Sequence, residues 1–158
     1  MSTQKKILIL LVLALVLVAL SSAAVSVNAC DCPGTVTPGW LKRHPEAWGS
    51  GAVWEELKLH FGLPDAHGPE MVETWLKQVP GDKWYTLFRA TFAAKFNFIN
   101  GCYCDDVSET LGAAIWWLGK YAHDKPVKAN SPAWKQAEPL YFVLDDYNNG
   151  ELCFPHRD

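Results

Sequence analysis

The sequence predicts an all-α fold: a small, disulfide-stapled bundle of about five helices behind a cleavable signal peptide. Three observations lead to this prediction. The chain opens with an apolar run, helix start and stop signals recur along the remainder, and all five cysteines lie outside the run. Stretches of alternating polar and apolar residues, which indicate strands, do not occur at useful length in the sequence.

Residues 1–29 have the order of a secretory signal peptide. Two lysines precede an unbroken apolar run over residues 7–20, and residues 27–29 satisfy the small-x-small rule for cleavage, with residues 22–24 as a second site. The run extended by a few residues would reach the roughly 20 residues of a signal anchor, so an uncleaved anchor is the alternative. Cleavage leaves residues 30–158, which we expect to form a single helical extracellular domain.

The charge balance narrows the choice of partners. The signal segment carries two of the 14 lysines and arginines and none of the 17 acidic residues, so the remaining chain has a formal charge of −5. A chain this acidic is a poor ligand for nucleic acid, and the sequence shows no basic cluster that would indicate an anionic lipid surface. We expect a membrane association only if Cys30 is lipidated or the signal is uncleaved.

An exported chain meets oxidising conditions, so its cysteines are expected to form disulfides. Five is an odd number, and the first mature residue is the one expected to stay free, to bridge to another molecule or to carry a lipid. The other four allow three pairings, and the expected outcome ties the N-terminus, the 102–104 turn and the C-terminus together. A zinc site of four thiolates is the alternative, although the one-residue gap within each pair is shorter than structural zinc sites use. The disulfide candidates are Cys30, Cys32, Cys102, Cys104 and Cys153.

Turn and cap signals divide the first part of the domain into four helical stretches. Pro45 interrupts the first, Pro69 opens the third at its first position, and Asp82 caps the fourth. The fourth is apolar around much of its circumference, so we expect it to be central and most buried, with Gly101 as a left-handed C-terminal cap. The stretches span residues 40–48, 52–60, 69–78 and 83–100.

Two further helical regions follow. Residues 106–109 have the pattern of a reciprocal capping box, and Ser131 is expected to cap the last region. Pro139 lacks an N–H and predicts either two short helices or a kink, and the region closes at Gly150. One face of the helix after the capping box carries Leu111, Ala114, Ile115, Leu118 and Ala122, at three- and four-residue spacing.

Catalytic signatures are missing from the sequence. It has no strained serine turn, no pair of histidines one helical turn apart and no Gly-rich phosphate loop, so we expect a non-enzymatic protein without metal or cofactor. Residues 145–151 are similar to a calcium loop in their oxygen donors, but Tyr147 stands at its third position, where Asp or Asn should coordinate. We expect a helix C-terminus with Gly150 in the left-handed conformation instead.

The chain has eight tryptophans, most of which are expected to pack in the core. Trp84 and either Trp116 or Trp117 fall within helical apolar patterns. Trp40 and Trp48 flank a polar, positively charged turn, and we expect them to serve surface recognition, with Lys42 or Arg43 making a cation–π or carboxylate contact.

That turn, residues 37–48 (TPGWLKRHPEAW), resembles the TPGYWKNHPEAW signature of uncharacterised exported proteins and surface-protein modules of bacteria and archaea. Residues 92–97 (FAAKFN) resemble the AAKLN helix of that group, and residues 144–150 (LDDYNNG) resemble its LDAYNNG ending. This chain's departures from the signature include Leu41 and Arg43, where the group has Trp and Asn. The resemblance covers the domain from end to end and implies an extracellular module, without an activity.

Two interpretations of the signature follow. In the first it is structural: the turn packs Trp40 and Trp48 on the bundle, and Lys95 and Asn97 satisfy loop carbonyls. In the second a polar cluster converges around a ligand or metal. The residues of that cluster are His44, Glu46, Lys95 and Asn97.

From the sequence we expect an extracellular or cell-surface structural and interaction module, non-enzymatic and self-assembling through its odd cysteine or an exposed aromatic patch. Its partners would be other copies, other surface proteins or carbohydrate. The alternative is a secreted protein that binds carbohydrate or metal, and a hydrolase comes third.

Overall fold

The computed structural model describes residues 32–49, 51–65, 67–77, 79–121 and 125–157. Over these residues the chain forms seven helices and no strand, which confirms the prediction of a small all-α bundle. Two short helices at the start raise the number above the expected five. The predicted signal peptide and Cys30 lie outside the described residues.

Prolines and polar caps set where the helices of the first half begin. Proline occupies the first turn of three of them, where its missing N–H leaves no carbonyl without a donor. The Thr37 side chain also accepts a hydrogen bond from the Trp40 N–H, at 3.3 Å. These helices are α1 (Pro38–Arg43), α2 (Pro45–Trp48), α3 (Gly51–Phe61) and α4 (Pro69–Leu76).

Three long helices form the centre of the bundle: α5 (Lys83–Ile99), α6 (Asp105–Lys120) and α7 (Pro132–Asn148). α5 is the most buried, as predicted, with ten of its 17 residues inside. The indole of Trp84, at the start of α5, donates to the Leu118 carbonyl near the end of α6 at 3.2 Å. α6 therefore runs antiparallel to α5, and α7 returns alongside both.

Cap predictions are confirmed at both central helix starts that carried a polar cap. The Asp82 carboxylate accepts from the Trp84 N–H at 3.0 Å, and the Ser131 hydroxyl accepts from the Trp134 N–H at 3.1 Å. Gly101 takes the predicted left-handed conformation, with φ at 86°. On α6, Leu111, Ala114 and Leu118 are buried and Ile115 is partly buried, whereas Ala122 lies outside the described residues.

One prediction about a helix start is wrong, and one of the two outcomes predicted at Pro139 does not occur. The N-cap of α6 is Cys104, which has no side-chain cap bond, and Asp106 lies in the first turn rather than in a capping box. The disulfide-bonded Cys104 starts the helix early, and acids in the first turn then face its positive end. α7 continues through Pro139 instead of dividing into two helices. Pro139 is exposed and so is Lys135, whose carbonyl is left to water.

Two disulfides, Cys32–Cys102 and Cys104–Cys153, fasten both ends of the domain to the loop between α5 and α6. This confirms the expected arrangement and removes the zinc alternative, because these sulfurs are no longer thiolates. The two ends also pair directly: the Thr35 N–H donates to the Pro155 carbonyl at 2.9 Å, and the Arg157 N–H donates to the Thr35 carbonyl at 2.8 Å. Both ends of the described chain therefore lie at one end of the bundle.

No helix in the described part of the chain is long and apolar enough to cross a membrane.

Candidate functional site

In the signature segment, Trp40 contacts both the His44 imidazole and the Arg157 guanidinium near the C-terminus. Its indole stacks on the His44 imidazole, with ring centroids 4.3 Å apart, and the Arg157 guanidinium lies 4.8 Å from the ring centroid. His44 Nδ1 is 3.0 Å from the Glu46 carboxylate. A backbone hydrogen bond and the His44 side chain lower the pKa of Glu46. Trp40 is half-buried, so part of its ring stays open to solvent.

Trp48 does not present the surface that the sequence suggested. Its side chain is 0% exposed, its indole N–H donates to the Leu41 carbonyl at 2.9 Å, and its ring meets Phe92 edge-on. The expectation that Trp48 serves surface recognition is wrong because the short α2 turns this ring inward, against α5. Lys42 and Arg43, by contrast, are exposed on α1.

Asn97, near the end of α5, is fully buried and uses both ends of its amide. Its oxygen accepts from the Val36 N–H at 2.9 Å, and its nitrogen donates to the Val36 carbonyl at 3.1 Å and to the Asn148 side-chain oxygen at 3.0 Å. Asn148 in turn donates to the Ala90 carbonyl at 2.9 Å. Two of the three stretches that resemble the exported-protein group, residues 92–97 and 144–150, therefore meet in one buried hydrogen-bond network, and Val36 joins it from the position just before the third.

Lys95 contacts residues outside the Asn97 network. Its amine lies 4.0 Å from the Glu56 carboxylate on α3, and Glu56 also lies 3.6 Å from His60. Burial lowers the pKa of Lys95, and the Glu56 carboxylate partly opposes that shift. The predicted cluster of His44, Glu46, Lys95 and Asn97 is thus divided among three separate sets of contacts.

A groove at the other end of the bundle collects lysines that are far apart in the sequence. It has a volume of about 490 Å³, within the range of small-ligand sites. None of its described lining residues is acidic. We call it the basic groove, and these residues are Lys120, Tyr121, Lys125, Pro126, Val127, Lys128, Ser131 and Ala133.

Asp82 holds Val127, one of the residues that line the basic groove. Besides capping α5, its carboxylate accepts from the Val127 N–H at 3.0 Å, and the Val127 carbonyl accepts from the Lys83 N–H at 2.8 Å. Asp82 is 5% exposed, so water competes weakly for these bonds. On the opposite wall the Ser131 hydroxyl donates to the Lys128 carbonyl at 2.7 Å, which closes the turn into α7.

The groove lysines have no ion-pair partner among the described residues, and Asp124, next to Lys125 in the sequence, lies outside them. Within the described part of the chain, Lys120, Lys125 and Lys128 form no ion pair, whereas Lys58 lies 3.0 Å from one carboxylate and 3.1 Å from another. The α7 N-terminus begins at the same groove and adds the positive end of its helix dipole. Lys83 is not a lining residue of the groove, and its amine lies 5.1 Å from the Trp134 ring.

An exposed aromatic ring stands beside the groove. Trp116 is 64% exposed on the outer face of α6, whereas its neighbour Trp117 is 2% exposed and donates to the Ala133 carbonyl at 3.2 Å. The Lys120 amine lies 4.9 Å from the Trp116 ring and 5.2 Å from the Tyr121 ring. One lysine therefore joins the exposed tryptophan to the groove.

Sequence reasoning missed this site. The basic residues lie on a helix end and in a loop, separated by residues of other types, so they form no run in the sequence. The available signal was Trp116-Trp117, since two adjacent tryptophans on a helix that buries one face cannot both point inward.

Comparison of the chain with protein-family models, with curated proteins and with solved structures gave no match. Among the described residues, no three His, Cys, Asp or Glu side chains come together in a way that could hold a metal ion.

Proposed function

We propose that this protein is an exported binding module that holds an anionic ligand in the basic groove. The observation that carries the proposal is the convergence of Lys120, Lys125 and Lys128 on one concave site, in a chain whose net charge is −3. Unpaired like charges repel one another, and an anion between them would remove that repulsion. Complementary charge of this kind also raises the rate of association.

Export is supported by two independent features. The sequence begins with the order of a signal peptide, and the two disulfides are typical of an oxidising compartment outside the cytosol. The sequence leads us to expect an extracellular interaction module that binds other copies of itself. The proposal keeps the extracellular module but gives it an anionic ligand as its partner instead of a second copy. Self-assembly through Cys30 rests on a residue outside the described part.

The position of the groove suits a binding module that is held by its N-terminus. Cys32 lies at the end of the bundle where α5 finishes, whereas the groove lies where α6 finishes and α7 begins. α6 has 16 residues, so the two ends are separated by about 24 Å. A chain tethered near Cys30 would therefore present the groove away from its attachment point.

Tripolyphosphate, a small polyanion without an apolar face, tests the proposal. We expect it to bind the exported protein and to bind at least about tenfold more weakly to the variant carrying Lys125→Glu and Lys128→Glu, because two attractive charges become repulsive. Titration calorimetry at two salt concentrations measures the affinity, which should fall as salt rises.

The matched control is the variant carrying Lys42→Glu and Arg43→Glu, which makes the same change in net charge on exposed α1. Its affinity should stay within about twofold of the unmodified protein, because α1 packs at the opposite end of α5. Equal losses in both double variants, or no binding of tripolyphosphate at all, would show that the groove is not an anion site.

A further inference from the structure

We infer that the ligand of the basic groove is an acidic carbohydrate, with a sugar ring on the Trp116 indole and its acidic groups on the groove lysines. This inference rests on the proposed function, since it names the class of anion. It depends on features that charge alone does not explain: an exposed aromatic face, an apolar floor and the lysine that connects them.

Trp116 gives the aromatic face. An indole that is 64% exposed contributes little to the core, which Trp117 already fills from the next position. The hexagonal face of a pyranose carries C–H groups that pack flat against an aromatic ring, while its hydroxyls stay in water. The Lys120 amine, 4.9 Å from the indole centroid, lies where a carboxylate or sulfate on such a ring could reach it.

The groove itself also combines apolar surface with positive charge. Pro126, Val127 and Ala133 make its lining largely apolar, while Lys125 and Lys128 stand around it. The Ser131 hydroxyl is already occupied, because it donates to the Lys128 carbonyl and accepts from the Trp134 N–H. The lysine amines and the apolar surface are therefore the groups that would bind the ligand. An oligosaccharide that repeats acidic groups and apolar ring faces matches both.

Two other kinds of anionic partner, an acidic peptide and an anionic membrane, fit the groove less well. An acidic peptide would use the lysines but offers no flat apolar face for Trp116 at each charged unit. An anionic membrane is a broad surface, and the lysines here line a concave groove of about 490 Å³ between the end of α6 and the start of α7. A single oligosaccharide chain fits a groove of that size.

A galacturonate hexasaccharide is the direct probe, compared with hexaglutamate, which carries a similar charge, and with phosphatidylglycerol vesicles. We expect the saccharide to bind at least about fivefold more tightly than the peptide, the gain typical of one aromatic stacking contact. Trp116→Ala should remove that difference and leave tripolyphosphate binding unchanged, and Trp116→Phe should keep part of it. Phe142→Ala, a substitution of another exposed ring, should leave saccharide binding unchanged.

The outcomes separate the two proposals. Equal binding of saccharide and peptide, or an affinity for saccharide that Trp116→Ala does not change, overturns the carbohydrate inference and leaves the anion groove standing. Binding to vesicles without binding to the saccharide overturns it in favour of a lipid surface. If none of the anions binds, the proposed function fails together with the inference.

Discussion

Asn97 shows how one side chain can join distant parts of this chain. Its amide fills all the hydrogen-bonding positions that the Val36 backbone offers and also binds Asn148, across 61 and 51 residues of sequence. Val36 precedes the TPGW turn and Asn148 ends α7, so the network fixes the first turn against the last helix. In a site that is 1% exposed, no water replaces a lost partner.

Substitution of Asn97 by Ala should therefore lower the free energy of unfolding by roughly 3–5 kcal/mol, because it leaves buried groups on Val36 and Asn148 without partners. Asn100→Ala is the control on the same helix end. Asn100 is exposed, and its side chain donates to the Phe96 carbonyl four residues back, its one side-chain hydrogen bond within the described part of the chain. Its loss should therefore cost less than about 1 kcal/mol. Urea unfolding followed by circular dichroism measures both, and equal losses would contradict a special role for Asn97.

Sequence patterns predicted which residues are apolar and helical, but not which neighbour of a pair points inward. The sequence predicts that Trp84 packs in the helical core, where it is 5% exposed, but it does not distinguish Trp116 from Trp117. The polar neighbours of Trp48 indicate a surface position, whereas the structural interpretation of the signature packs it on the bundle, and in the structure α2 turns it onto α5. A polar neighbourhood in sequence does not determine the direction of a ring on a helix of only four residues.

At the scale of elements, α7 contains a residue that destabilises a helix. Pro139 removes the donor that would bond to the Lys135 carbonyl, and its ring crowds the preceding turn. The helix nevertheless continues, because Trp134 and Ala137 before the proline and Leu144 and Tyr147 after it are all buried in the same core. Tertiary packing thus outweighs the local preference, so the first of the two predicted outcomes, a division into two short helices, does not form.

Pro139→Ala should raise the free energy of unfolding by roughly 1–3 kcal/mol, since it restores the missing helical hydrogen bond at an exposed position. Pro132→Ala should change it by less than about 0.5 kcal/mol, because a proline at the first helical position breaks no bond. Thermal and urea unfolding compare the two variants. A destabilising Pro139→Ala would mean that α7 needs a bend at this position.

Helix ends were predicted well where one residue decides them locally. Gly150 is an example, with φ at 78° and no room for a side chain, since a Cβ there would lie 2.1 Å from the His156 nitrogen. The basic groove is the opposite case. It forms only when the end of α6, residues 125–128 and the start of α7 meet, and the Asp82 carboxylate before α5 holds Val127 in place. No local pattern contains this arrangement.

At the scale of the whole molecule, the two ends of the bundle differ in structure. One end holds both disulfides and the paired chain ends, and the other holds the groove. The cross-links join residues 70 and 49 positions apart, so each restricts a large part of the unfolded chain. In the chain-entropy account, loops of this length contribute roughly 4 kcal/mol each.

Replacing Cys104 and Cys153 together by Ala should lower the free energy of unfolding by roughly 2–4 kcal/mol, and replacing Cys32 and Cys102 should have a similar effect. Because the groove lies at the opposite end, each double variant that remains folded should bind tripolyphosphate within about twofold of the unmodified protein. Urea unfolding and calorimetry on the same samples test both statements. A loss of tripolyphosphate binding in folded samples would show that the disulfides affect the groove across the length of α6. An unchanged free energy of unfolding would show that core packing alone holds the chain ends in place.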